Sequence, residues 1–292
     1  MIIGVKHYFT GLTADQFRHP LDQEATAALR RLPGLDLLVR SFLGSTAEQV
    51  FQFNNLASSI LVGDRQLPHL HHLLQEAAQV LDLTPPDLYI QQNPVPNAYT
   101  FAMRGQKPFM VIHTALVEIL TEAELQAVMA HELGHLKCEH GVYLTLANLL
   151  MLATNALPVW GSLLSRSLQN QMLAWLRCAE LSCDRAAFLV SQDPKIMMSV
   201  LMKLAGGSPS LAPLLNLDAF MEQAKTYEHL SQNQLGQLLQ ETQTTQLTHP
   251  LPVVRAQEIW RWASSQEYSL LLQNRDSVYN HEGSSKGGWR NW

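Results

Sequence analysis

Apolar residues recur every three or four positions along most of this chain, and the pattern turns extended in one stretch. Residues 13–31 carry Ala25, Ala28 and Leu29 at helical spacing after the polar Thr13, Asp15 and Asp22, and Pro33-Gly34 closes the run. Segments 35–62 and 66–81 read as two or three further amphipathic helices, broken near Gly44 and Gly63-Asp64. After Pro85-Pro86 the period changes. Leu88-Tyr89-Ile90, then Ala98 to Met103, and Phe109 to His113 read as strands, the last two as a hairpin turning at Arg104-Gly105-Gln106-Lys107. Thr121-Glu122-Ala123-Glu124 has capping-box spacing, and Leu125, Val128, Met129, Leu133 and Leu136 continue it as a helix. Asp193-Pro194 opens another helix through Leu204, Gly206-Gly207-Ser208-Pro209 breaks it, and residues 211–241 are helical and glutamine-rich. The expectation is a predominantly helical α+β fold with a small antiparallel sheet. It divides into an N-terminal helical segment over 1–65 packed on the core, a main domain over 66–275 and a flexible tail over 276–292.

Composition narrows the class. With 292 residues, 47% of them hydrophobic and 15% charged, the chain has material for a sizeable core. A net charge of -5 and a pI near 6.2 give no reason to expect nucleic acid as a partner. The three cysteines form no CxxC array, which points to a reducing compartment. Cys138, Cys178 and Cys183 read as reduced and packed, with thiolate ligation or redox control the alternative. The apolar run Met1–Val5 is ended by Lys6-His7-Tyr8, too short for a signal peptide, so the protein is expected to be cytoplasmic and not secreted. Val142 to Ser165 spans 24 residues without a formal charge, long enough to cross a bilayer, yet Thr145, Asn148, Asn155 and Pro158 interrupt it. Burial in a soluble fold, contact with a membrane surface and a true span all remain open for it.

The chemistry lies in Ala130-His131-Glu132-Leu133-Gly134-His135. On a helix, the four-residue step sets His131 and His135 on one face a turn apart, close enough to grip one zinc ion. Glu132 falls beside them and can serve as general base toward a water molecule. A third ligand is needed. Metzincin spacing would require Gly at 138 and His at 141, where this chain has Cys138 and Gly141. A better candidate is Glu180, one helical turn before Asp184 in Arg177-Cys178-Ala179-Glu180-Leu181-Ser182-Cys183-Asp184-Arg185. Asp184 is then placed to hold the outer N–H of a ligating histidine. The same two acids could instead pair with Arg177 and Arg185 on an ordinary salt-bridged helix. His69, His71 and His72 fit a solvent-exposed helix start better than a metal site.

The HELGH helix, the later Arg177-x-x-Glu180-x-x-x-Asp184 segment, Pro96-Asn97-Ala98-Tyr99 upstream and Thr248-His249-Pro250 with Arg255 downstream together resemble the M48 family of zinc metallopeptidases. That family includes CAAX-prenyl endopeptidases and HtpX-type quality-control proteases. Phe17-Arg18-His19-Pro20-Leu21-Asp22 is similar to the helical preamble of some bacterial and plastid members. The resemblance implies a gluzincin-type fold, one Zn(2+) per chain on His131, His135 and Glu180, Glu132 as base, and Asp184 behind the ligands. It further implies that His249 steadies the oxyanion, that Arg255 anchors its loop, and that Asn97, Ala98 and Tyr99 bind substrate backbone, although Asn97 also suits a plain turn after Pro96. The expected activity is that of a zinc metalloendopeptidase acting on proteins or peptides, in quality control or turnover. A zinc-containing peptide-binding chaperone or adaptor, or a structural factor at a membrane surface, is the alternative. Neither the substrate nor the oligomeric state is fixed by these residues.

Overall fold

The computed structural model describes residues 6–31, 53, 56–102, 107–141, 143–144, 162–236, 247 and 249–273. In chain order the helices of the described residues are α1 (Pro20–Arg30), α2 (Pro68–Val80), α3 (Thr114–Ile119), α4 (Glu122–Lys137), α5 (Ser162–Ser191), α6 (Pro194–Gly206), α7 (Leu217–Ser231), α8 (Pro252–Ala263) and α9 (Gln266–Gln273). The strands are β1 (Ile60–Leu61), β2 (Asp87–Gln91), β3 (Ala98–Phe101) and β4 (Phe109–His113).

α4 is the central element. Its capping box forms: Thr121 N donates to Glu124 Oε2 at 2.7 Å, and Glu124 N donates back to Thr121 Oγ1 at 3.4 Å. The Glu124 carboxylate also accepts from Lys203 Nζ and Ser199 Oγ, both at 2.6 Å, so the start of α4 is tied to α6. From Glu124 to Lys137 every side chain of α4 is buried, as befits a helix covered on all sides. Its closest neighbour is α5, and Gly134 explains why. A Cβ there would lie 2.9 Å from Cys183 Cα and 3.0 Å from Ala186 Cβ, so the two helices cross almost backbone to backbone.

The sheet has the order β1-β2-β4-β3. The expected hairpin is present, with Ala98 opposite Ile112 and Phe101 opposite Phe109; its turn at 103–106 lies outside the described residues. The sheet is mixed instead of antiparallel, however, because β2 runs parallel to β4, Asp87 opposite Phe109 through Gln91 opposite His113. The chain returns along β3 between them, which leaves β2 and β4 pointing the same way. Met110 and Ile112 of the central strand face the main core with Leu88 and Ile90, while Tyr89, Phe109 and Val111 form a smaller cluster on the other face. β3 lies at the edge and packs its Ala98 face toward α4.

Two other expectations change. The single helix read over 13–31 is split: a 3-10 turn at Ala14–Gln16, then α1, restarted by Pro20 at its first position and capped by His19 Nδ1 accepting from Leu21 N at 3.2 Å. Phe17, in the break, is fully buried in the main core. Of the helices read over 35–62, residues 35–52 lie outside the described residues, residues 56–58 are helical as read, and Ile60–Leu61 form β1. Most of Val142 to Ser165 also lies outside them, although buried Tyr143 packs on Trp175 at 5.4 Å between ring centroids and Ser162 begins α5. Among the described residues, no helix is long and apolar enough to cross a membrane. The tail over 276–292 is outside the described residues as well.

Candidate metal centre

The four-residue histidine spacing on α4 and the four-residue acid spacing on α5 meet where Gly134 lets the helices touch. His131 Nε2 lies 3.2 Å from Glu180 Oε2, and His135 Nε2 lies 3.3 Å from Glu180 Oε1, so both imidazoles turn the same ring nitrogen toward one carboxylate. All three side chains are buried. Behind them, Asp184 Oδ1 is 3.0 Å from His131 Nδ1. Arg255, in the first turn of α8, grips Asp184 with Nε to Oδ2 at 2.8 Å and Nη2 to Oδ1 at 2.6 Å, and its Nη1 is 3.4 Å from Glu180 Oε2. The alternative of a salt-bridged α5 is thereby replaced: Arg177 donates to Leu247 O at 3.0 Å, and Arg185 pairs with Glu267 at 3.0 Å and sits over the Trp262 ring at 4.8 Å.

The electrostatics of the centre are those of a cation site. Burial opposes charge on His131, but Glu180 and Asp184 outweigh it and raise the imidazole to about 10. Burial likewise opposes ionisation of the two acids, yet His249 and His131 hold Glu180 well below the usual carboxyl range, and Arg255 holds Asp184 down. His131 Nε2 faces Glu180 and its Nδ1 faces Asp184, so a metal ion held at Nε2 and Glu180 would replace any proton between those two atoms. Glu180 Oε2 is buried and makes no hydrogen bond, although His131, His249 and Arg255 stand within 3.5 Å of it. An orphaned carboxylate oxygen facing two imidazole nitrogens fits a metal ion.

One thiol comes near. Cys183 Sγ and ring nitrogens of His131 and His135 lie within 4.8 Å of one another. Cys183 sits beneath Gly134 at the helix crossing, 3.8 Å from His140 Nδ1, and burial pushes its thiol well above the ordinary range. Glu180 turns one carboxylate oxygen to each Nε2 atom, whereas Cys183 stands as a buried thiol.

Glu132 is buried beside the histidines, and Thr100 Oγ1 of β3 donates to its Oε2 at 2.9 Å. Thr100 went unnoticed in the sequence; the signal was the alternation of β3, which places it on the same face as Ala98, toward α4. His249 reaches the centre from the turn before α8, its Nε2 3.5 Å from Glu180 Oε2 and its side chain 58% exposed. Thr248 lies outside the described residues. Asn97 is exposed at the entry to β3, its carbonyl accepting from His113 N at 3.0 Å. Ala98 packs against the main core, and Tyr99 turns to the other face, edge-on to the His113 ring at 6.2 Å. His71 pairs with Asp64 at 2.8 Å on the exposed start of α2.

The sequence model described as peptidase family M48 matches residues 64–263. The chain is 56% identical over 272 residues to the plastoglobule-localized metallopeptidase 48, chloroplastic, of Arabidopsis thaliana, covering 92% of this chain and 79% of that protein. It is 28% identical over 170 residues to the protease HtpX homolog 2 of Methanosarcina mazei, covering 50% of this chain and 58% of that one. The HtpX homolog of Moorella thermoacetica matches at 28% over 171 residues, with 57% of it covered. No solved structure matches the chain. The expected cytoplasmic location gains no support here, since the Arabidopsis relative's name places that protein at chloroplast plastoglobules.

Proposed function

Because the chain belongs to peptidase family M48 and is a metalloprotease, we propose that it is a zinc-dependent endopeptidase that cleaves proteins or peptides in quality control or turnover. The observation that carries this reading is the meeting of His131 Nε2 and His135 Nε2 on the buried Glu180 carboxylate, whose Oε2 makes no hydrogen bond, with Glu132 beside them. Two imidazoles and one carboxylate are a donor set that suits zinc. Once bound, zinc supplies Lewis acidity, bringing the pKa of a water to about 7 and polarising the substrate carbonyl.

Glu132 takes the proton of the attacking water and passes it to the leaving amine. Thr100 donates to one oxygen of Glu132, which fixes the carboxylate and leaves the other oxygen to receive the proton. Thr100 also belongs to β3, whose outer edge is open among the described residues, and an extended peptide laid on that edge from Asn97 onward would bring its backbone alongside the base. His249, close to Glu180 yet exposed, serves as a donor to the carbonyl oxygen as charge develops there, a contribution of about 10²–10³ in rate. Asp184 and Arg255 hold His131 in place from behind.

Metal removal tests the reading. Cleavage of an unstructured protein such as casein should disappear on treatment with a strong chelator and return when one equivalent of zinc is restored. Cleavage that survives complete removal of metal sinks the assignment; binding of casein without cleavage in the zinc-loaded protein favours the chaperone reading.

A further inference from the structure

The last turn of α4 returns the chain beneath its own histidine. Cys138 caps the helix and Glu139 adopts a left-handed φ of 59°. Glu139 N then donates to Leu136 O at 3.2 Å and His140 N to His135 O at 2.9 Å, the two bonds of a Schellman ending. This local geometry sets the rings of His135 and His140 together, with Nδ1 3.2 Å from Nδ1. On its other side, His140 Nε2 lies 3.0 Å from Asp22 Oδ2. Asp22 and His140 are both fully buried. The Asp22 carboxylate accepts further from Ser182 Oγ at 2.6 Å and Thr26 Oγ1 at 2.9 Å, with Arg18 Nε at 3.3 Å.

Donor and acceptor capacity fixes where the protons sit. A carboxylate only accepts, so neutral His140 donates from Nε2 and offers its lone pair at Nδ1. His135 then donates from Nδ1, and its Nε2 lone pair is left facing Glu180 Oε1 at 3.3 Å. A metal ligand needs that tautomer.

We infer that Asp22 and His140 are positioning residues for His135: a carboxylate–imidazole–imidazole chain, begun in the N-terminal arm before the family-matched residues 64–263, that fixes the tautomer and ring orientation of this metal-binding histidine. Asp184 does the same for His131 directly. The inference rests on the reading of His135 as a ligand. Asp22, Cys138 and His140 also lie within 4.8 Å of one another in the manner of a metal site. A second metal is not needed to explain them, because both Asp22 oxygens already accept hydrogen bonds and burial pushes the Cys138 thiol up to about 12.

The test is zinc affinity of the full chain, measured by competition with a chromogenic chelator and accompanied by the visible spectrum of the cobalt-substituted protein. Asp22→Asn is expected to weaken zinc binding about 10–100-fold and to shift the cobalt bands. Thr26→Val removes a bond to the other Asp22 oxygen, and the acceptor of Trp175 Nε1, without touching the path to His135. It should lower thermal stability and leave affinity and spectrum nearly as in the wild type. Affinity unchanged in Asp22→Asn, or weakened as much by Thr26→Val, overturns the inference. Should Asp22→Asn fail to fold, His140→Asn and His140→Leu decide: the amide oxygen of Asn stands where Nδ1 stood and is expected to retain more zinc affinity than Leu, and equal loss in both overturns the chain. Glu180→Ala in the same assay separates the two levels. If it leaves zinc binding intact, the site reading itself fails; if it abolishes binding while Asp22→Asn changes nothing, only the chain behind His135 fails.

Discussion

Glu132→Gln is expected to lower peptide cleavage by about 10²–10⁴-fold while zinc content and thermal stability stay close to those of the unaltered protein. The amide keeps the shape of the carboxylate and can still accept from Thr100 Oγ1, so the packing around α4 is undisturbed. What it loses is the capacity to take a proton. Turnover that persists in this variant, measured with the zinc-loaded protein on casein or a fluorogenic peptide, removes Glu132 from the base role and points to another acceptor in the cleft.

Arg255→Met should have the largest effect on stability. Methionine fills much of the same volume but strips the positive charge from two buried acids, Asp184 at 2.6 Å and Glu180 at 3.4 Å. An uncompensated buried carboxylate costs about 3–5 kcal/mol, so the metal-free protein should unfold at clearly lower denaturant or temperature than the wild type. Adding Asp184→Asn removes the charge that Arg255 neutralised, and the double variant is expected to be less unstable than Arg255→Met alone. Circular dichroism on the metal-free single and double variants checks both statements. Equal stability of Arg255→Met and the wild type would mean that Arg255 is not the counter-charge of the centre.

Much of the centre was legible because its elements are local. A four-residue step means one helical face wherever it occurs, so His131 with His135 and Glu180 with Asp184 could be paired from spacing. The capping box of Thr121 and Glu124 likewise acts within one turn and formed as read. Contacts between distant segments were hidden for the opposite reason. Thr100 is 32 residues from Glu132, and Asp22 is 118 residues from His140. No local period encodes such a meeting. Asp22 looked like a polar helix-start residue, which it is, while its burial depends on α1 lying against Ser182 of α5. The parallel pairing of β2 with β4 was invisible too, since alternation along a strand says which faces are apolar and nothing about its neighbour's direction.

The central claim is that His131, His135 and Glu180 hold one zinc ion. Elemental analysis of the purified wild type and of Glu180→Ala, with folding confirmed by circular dichroism, tests it most directly. About one zinc per chain in the wild type, lost or greatly weakened in the folded variant, is the expected result. A wild type without zinc, or a variant that retains it fully, would contradict the claim and move the third ligand, or the whole site, elsewhere.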